Sequence, residues 1–427
     1  MSRQSNPQPD LPTSTAPVLT KRLTYILALA CGAIVANLYY AQPLLTTIAR
    51  GLHSTADTTS IVVAVTQVAY AVGLFAVVPL GDILDRRKMI AGVLCITTVG
   101  LLLTGIAPTL ALFLLASALV GASAVVAQVM IPFASVLAKP QERGKVVGIV
   151  MSGLLIGILV ARTVSGLVAQ ALGWRSVYLL GAAITLALAL VLMRELPKLP
   201  PSRSLRYPEL LGSVVELFRK EPILRRRSLY GLLSFGIFST FWATAALLLS
   251  KPPYSYNNAT IGLFGLVGAG GALAASLAGR LADRGRQRSS TGVSIVLTIA
   301  GFALILAEAK TLYPLIIGIV LIDMGVQGVH ISNQSVIYQL NPSLRSRITS
   351  VYMTSYFVGG AAASAGSTYA YAQFGWTGVG SLGLGLAIVL LIVWSTEHLG
   401  RSTTSGRSAL EPQDPIPAPG RPTTPTA

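Results

Sequence analysis

The run IIGIVLIDMGVQGVHISNQSVIY, residues 316–338, carries an acid, three amides and an imidazole in a largely apolar stretch. Asp323, Gln327, His330 and Gln334 are four, three and four residues apart, so on a helix they form one polar stripe. A carboxylate inside an apolar span is costly and is kept where it faces a cavity or a partner. Asp323 and His330 are therefore the candidates for carrying a proton. The plainer alternative is that they hydrogen-bond to each other or to neighbouring helices as structural glue. A second charge, Arg162, lies in GLLIGILVARTVSGLVAQ, residues 153–170. Its guanidinium does not deprotonate, so it needs a substrate anion, Asp323 or backbone carbonyls beside it.

Other polar and aromatic side chains fall in apolar runs and are candidates for lining a substrate cavity. They are Asn37, Tyr40 and Gln42, then Gln67 and Tyr70, Gln128, and the aromatic group Phe238, Phe241 and Trp242. Trp174, Trp376 and Trp394 sit near the ends of runs, where tryptophan marks a membrane interface; Trp242 does not, which favours it for recognition.

The elements that must position these residues are membrane helices. The chain has 427 residues, 53% of them hydrophobic and only 11% charged, with mean hydropathy +0.68. A globular surface needs roughly a quarter charged residues. Apolar runs of about 20 residues, enough to cross a bilayer, recur at 23–45, 59–80, 89–107, 110–132, 145–169, 175–194, 228–250, 259–280, 290–308, 312–336, 348–371 and 377–396. The expected fold is an all-α integral membrane protein of twelve transmembrane helices. The first run is too long for a signal peptide and has no cleavage pattern behind it. The net charge of +17 would suit a nucleic-acid binder, but the basic residues are not arranged for one. With twelve spans and a cytoplasmic amino terminus, 27 of the 32 Lys and Arg fall on the inner side and four outside, the positive-inside asymmetry. This implies an inner (plasma) membrane protein with both termini cytoplasmic and no nucleic-acid partner. The expected division is a disordered tail 1–20, a bundle 21–194, a linker loop 195–227, a second bundle 228–398 and a disordered tail 399–427. The two cysteines, Cys31 and Cys95, lie in separate spans and offer neither disulfide framework nor metal site.

The halves repeat. GDILDR (81–86) recurs as GRLADR (279–284), and GWRSV (173–177) as GWTGV (375–379). Arg143, Lys145, Met151 and Gly157 match Arg345, Arg347, Met353 and Gly359. Three collinear matches argue for a duplicated six-span unit, two parallel bundles related by a pseudo-two-fold axis along the membrane normal. This plan, with G-x-x-x-D-R after spans two and eight, resembles the major facilitator superfamily over almost the whole chain. The resemblance implies that Gly81, Asp82, Asp85, Arg86 and Arg143, with Gly279, Asp283 and Arg284 in the second copy, form a conformational latch. Asp85 would meet a helix amino terminus or an arginine of the facing bundle, with Arg143 or the start of span eleven as partners. Three features depart from the family pattern: Lys88 where a glycine is usual, Ile158 in place of a proline after Gly157, and Ser117 where relatives carry an arginine before Gly121.

These readings converge on a secondary transporter. The expected function is proton antiport exporting a small organic, amphipathic, drug-like compound by alternating access; the alternative is a proton-coupled uptake symporter of a sugar, amino acid or organic acid. The proton gradient would supply the energy, without cofactor or metal, in a monomer. No phosphate-cradling G-x-x-x-x-G-K-[ST] run supports a nucleotide-driven pump. The scattered His53, His330 and His398 do not build an enzyme site.

Overall fold

The computed structural model describes residues 19–139, 142–197, 206–268, 286–308, 311–340 and 344–397, with the backbone alone at Asp82 and Arg345. Nine helices among the described residues are long and apolar enough to cross a membrane. One of them, Ser346–Ser395, is 50 residues long and contains two spans. Gly375 divides it at φ 60°, ψ −148°, a left-handed position that glycine adopts without a Cβ clash. Span one, Lys21–Ala36, and the described part of span eight, Asn258–Val267, complete twelve. The fold is two six-helix bundles.

The sequence repeat is a repeat of structure. Gly173, which joins span five (Arg143–Leu172) to span six (Trp174–Glu195), also has positive φ, 84°. The two GW motifs thus mark the same corner in each bundle. Gly157 and Gly359 also do equivalent work. A Cβ on Gly157 would strike the backbone of Gly32 in span one, and one on Gly359 would strike the backbone of Leu232 in span seven. Without a hydrophobic driving force between helices in lipid, backbone-to-backbone contact of this kind supplies the packing.

Several spans are interrupted where the sequence pattern runs on. Span one ends at Ala36, passes through turns, and resumes as a short 3₁₀ turn Gln42–Leu44 containing Pro43. Span seven, Pro222–Trp242, breaks at Ala243 before the short helix Ala245–Leu249. Thr240 and Thr244 hydroxyls donate to carbonyls four residues back, a bond that bends helices. Both breaks lie toward the carboxyl-terminal ends of their spans.

The halves meet along two seams. Span two (Ala56–Ala76) packs on span eleven, with Ser350 Oγ donating to the Leu74 carbonyl at 2.8 Å and Ser60 hydrogen-bonded to Thr368 at 3.0 Å. Span five packs on span eight, where Thr163 Oγ1 donates to the Gly262 carbonyl at 3.0 Å. Near the latter seam Asn258 Nδ2 donates to Thr47 Oγ1 at 2.7 Å. Large side chains such as Leu29, Leu115, Leu190 and Ile392 are exposed, as a lipid-facing surface requires.

Candidate functional site

The breaks in spans one and seven aim four side chains at Arg162. Its guanidinium, 3% exposed, lies 4.0 Å from the Trp242 ring centre, 4.9 Å from Tyr39 and 5.6 Å from Phe238. Nε donates to Gln42 Oε1 at 2.7 Å, while Nη2 has no protein acceptor. Stacking on a desolvated aromatic face contributes about 2 kcal/mol, Trp being the best partner. Of the three partners the sequence left open, the structure shows neither carboxylate nor backbone carbonyl on this guanidinium, but an amide and an aromatic cage.

On the facing wall Asp323, 5% exposed, accepts from Trp242 Nε1 at 3.1 Å. No nitrogen of Arg162 lies within the 4.0 Å of a salt bridge with this carboxylate. Trp242 separates the two: its ring covers the cation and its N–H holds the anion. Both charges line one cavity of about 90 Å³, with Gln327, Phe238, Gly265 and Gly268 among its walls. At Gly265 and Gly268 span eight carries no side chain against this cavity. A Cβ on Gly268 would strike the Asp323 carboxylate, and one on Gly265 would come within 2.8 Å of Arg162 Cβ.

The polar stripe on span ten, Leu312–Ile337, divides along its length. Asp323 and Gln327 face the cavity. His330, two turns further and about 10 Å along the axis, faces Tyr352 instead, with Nδ1 and the hydroxyl 3.0 Å apart, and its ring lies 4.7 Å from that of Tyr356. His330 and Asp323 make no hydrogen bond to each other. Gln334 is half-buried and does not line this cavity.

The remaining cavity candidates are placed elsewhere. Asn37 Nδ2 donates to Thr185 in the same bundle, and Tyr40 packs edge-on against Tyr178. Gln67 Nε2 donates to Ser239 across the seam at 3.2 Å. Tyr70 lies against Phe357 and is hydrogen-bonded to Gln128. Gln67, Tyr70 and Gln128 thus find polar partners within the protein, whereas Asn37 Oδ1 is buried without one.

At the latch, Asp85 caps span three, Arg86–Ile106, accepting from the Arg87 amide at 2.9 Å. Arg86 Nε donates to the Gly81 carbonyl at 2.8 Å and its guanidinium overlies Phe133. Arg143 is exposed and makes no ion pair with Asp85. The Asp82 side chain and Gly279, Asp283 and Arg284 lie outside the described residues, as do nearly all of the two tails. Asparagine caps helices as well as aspartate does, whereas alanine costs about 1 kcal/mol. Asp85→Asn is therefore expected to leave the melting temperature unchanged, and Asp85→Ala to lower it. If Asp85→Asn nevertheless loses transport, its charge, not its cap, is what the latch uses.

One charged cluster has no counterpart in the sequence reading. Glu397, at the end of span twelve, accepts from Arg227 Nη2 at 3.2 Å and from the Tyr230 hydroxyl at 3.1 Å, with Arg288 at 3.9 Å. Arg227, read from sequence as part of the linker loop, belongs to span seven and is buried. The equivalent pair in the first bundle, Arg22 with Glu195 at 2.9 Å, is largely exposed. Arg22 with Arg227 and Glu195 with Glu397, each at the same end of its bundle, were the available signal.

A family model described as Major Facilitator Superfamily matches residues 27–274 and 233–422. The chain belongs to the major facilitator superfamily. This facilitator is 46% identical over 376 residues to "Uncharacterized transporter YgaY" of Escherichia coli O157:H7, covering 88% of this chain and 95% of the relative. Among solved structures, a bacterial homolog to the human lysosomal transporter Spinster, in inward-facing and occupied conformation, superposes with TM-score 0.68 at 14% identity, covering 91% of this chain and 98% of that one. The human organic anion transporter MFSD10 superposes with TM-score 0.63 at 18% identity, over 88% and 100%. At those identities the superpositions speak for the fold. This facilitator is a multi-pass membrane transporter for small molecules.

Proposed function

We propose that this facilitator exports a small organic compound in exchange for protons, with Asp323 as the group that alternately carries proton and meets substrate. The observation that carries this reading is the position of Asp323: a buried carboxylate on the cavity wall, held by one neutral N–H and, among the described residues, with no cation within salt-bridge distance. Such a carboxyl is free to be neutralised either by a proton or by a ligand, which is the exchange an antiporter needs. His330, hydrogen-bonded to Tyr352 away from the cavity, is less suited to that exchange. The distribution of Lys and Arg supports an inner-membrane orientation with both termini in the cytoplasm.

The test uses inside-out vesicles with an acidic lumen and a panel of organic cations, zwitterions, sugars and organic acids. Compound-triggered proton release is expected from the native protein and lost in Asp323→Asn at equal protein level. Proton uptake with substrate, or release that survives Asp323→Asn, contradicts the assignment; the former would favour symport.

A further inference from the structure

The cavity holds one cation and one anion that form no salt bridge with each other. An unpaired buried charge of either sign is expensive, and the usual remedy is for the two to meet. Here they are kept apart by construction. Trp242 lies between them, stacked on Arg162 at 4.0 Å and hydrogen-bonded to Asp323 at 3.1 Å, and each charge has a single neutral partner on its far flank or near it: Gln42 for the guanidinium, the indole N–H for the carboxylate. Nη2 of Arg162 has no protein acceptor. Gly265 and Gly268 place bare backbone beside both charges, so at these two positions of span eight no side chain fills the space. Between them the wall is apolar, formed by Leu155, Leu159 and Phe238.

We propose that the substrate is a zwitterion: a small compound with an acidic group seated on Arg162, a basic group facing Asp323, and an apolar body against Phe238 and the leucines. A compound with only a basic group would leave Arg162 uncompensated in a low-dielectric space, where such a charge is costly, and one with only an acidic group would leave the proton on Asp323 with nothing to displace it. A compound with both supplies a partner to each at once. This rests on the proposed antiport. As the ammonium of the substrate approaches, the Asp323 carboxyl gives its proton to water on the side from which substrate enters, and regains one after substrate leaves. Because a zwitterion is neutral overall, each cycle that exchanges one of them for one proton moves one net positive charge across the membrane.

The test is a matched set of probes on the purified full-length protein in lipid nanodiscs: phenylalanine, phenylalaninamide and 3-phenylpropanoate, and leucine, leucinamide and 4-methylpentanoate. Each triplet shares a body and differs only in bearing both charges, the cation alone or the anion alone. Binding is followed by ligand-induced thermal shift, and each triplet is also run in the proton-release assay. The expected result is that, in at least one triplet, the zwitterion binds at least tenfold more tightly than either single-charge analogue. Arg162→Gln should then reduce it to the level of the amide, and Asp323→Asn to the level of the acid. The series on native protein needs no variant, so misfolding of Arg162→Gln would not block the test. If the amide equals the zwitterion, the acid seat is overturned, while amide-triggered proton release leaves antiport standing. If the acid alone binds best and protons move with it, both the base seat and antiport fall. If neither zwitterion outdoes its analogues, including where nothing binds, the proposal is overturned.

Discussion

Trp242→Ala is expected to abolish compound-triggered proton release, and Trp242→Phe to reduce it by one to two orders of magnitude. The alanine variant removes the aromatic face that covers the Arg162 guanidinium and the N–H that holds Asp323. Nothing then keeps the two apart. At about 4 Å and an effective dielectric of about 20, opposite unit charges attract by roughly 4 kcal/mol, enough to favour a direct salt bridge over solvation of each in the cavity. That bridge would tie span five to span ten, one from each bundle, and block both the exchange at Asp323 and the movement of the halves. Phenylalanine keeps a ring over the cation but loses the donor. A hydrogen bond to a charged group contributes about 1.5–3 kcal/mol, which sets the smaller, graded loss. Vesicle proton release at equal protein level decides the matter, and an alanine variant with native activity would remove Trp242 from the mechanism.

Glu397→Gln is the substitution expected to cost most in stability, about 3–5 kcal/mol. It leaves Arg227 and Arg288 facing a neutral amide in a site where Arg227 and Glu397 side chains are 7% and 8% exposed. The equivalent change in the first bundle, Glu195→Gln, removes the partner of an Arg22 side chain that is 76% exposed, and pairs of that kind contribute about 1 kcal/mol or less. Apparent melting temperature in nanodiscs should therefore fall sharply for the one and barely for the other. Replacing Arg227 and Glu397 together with methionine should recover part of the loss, since only Arg288, whose side chain is 23% exposed, is then left without its carboxylate. Equal shifts for the two glutamine variants would mean that burial does not distinguish the pairs.

What the sequence made legible was whatever departs from its apolar background. Asp323, Arg162 and Trp242 stand out as ionisable or amphipathic groups in runs of aliphatic residues, and those three form the core of the site. The GW and Gly157/Gly359 repeats could be read in advance because glycine at a corner or a backbone contact tolerates no substitute. Tyr39 was not legible as a partner of Arg162: its direction depends on the helix breaking after Ala36, and periodicity extends the helix through it. The span-ten stripe was right as a helical face and misleading as a single site, because packing neighbours change along an axis that crosses most of the membrane. The Glu397 cluster escaped because span ends look like loops until the partner helices are in place.

Within each bundle Gly157 against Gly32 and Gly359 against Leu232 are backbone-on-backbone contacts, with no rotamer that could switch. Between bundles the described bonds are mostly hydroxyls, such as Ser350 to the Leu74 carbonyl and Thr163 to the Gly262 carbonyl. A hydroxyl rotates and finds a new acceptor at little cost, the net value of such a bond being about 1 kcal/mol. One proton descending 100 mV of membrane potential releases about 2.3 kcal/mol. The span five–span eight seam also holds stiff contacts, with Gly166 against the Asn258 carbonyl and Gly262 against the Arg162 carbonyl, whereas the span two–span eleven seam is fastened by hydroxyls, each comparable in strength to the work of a single ion.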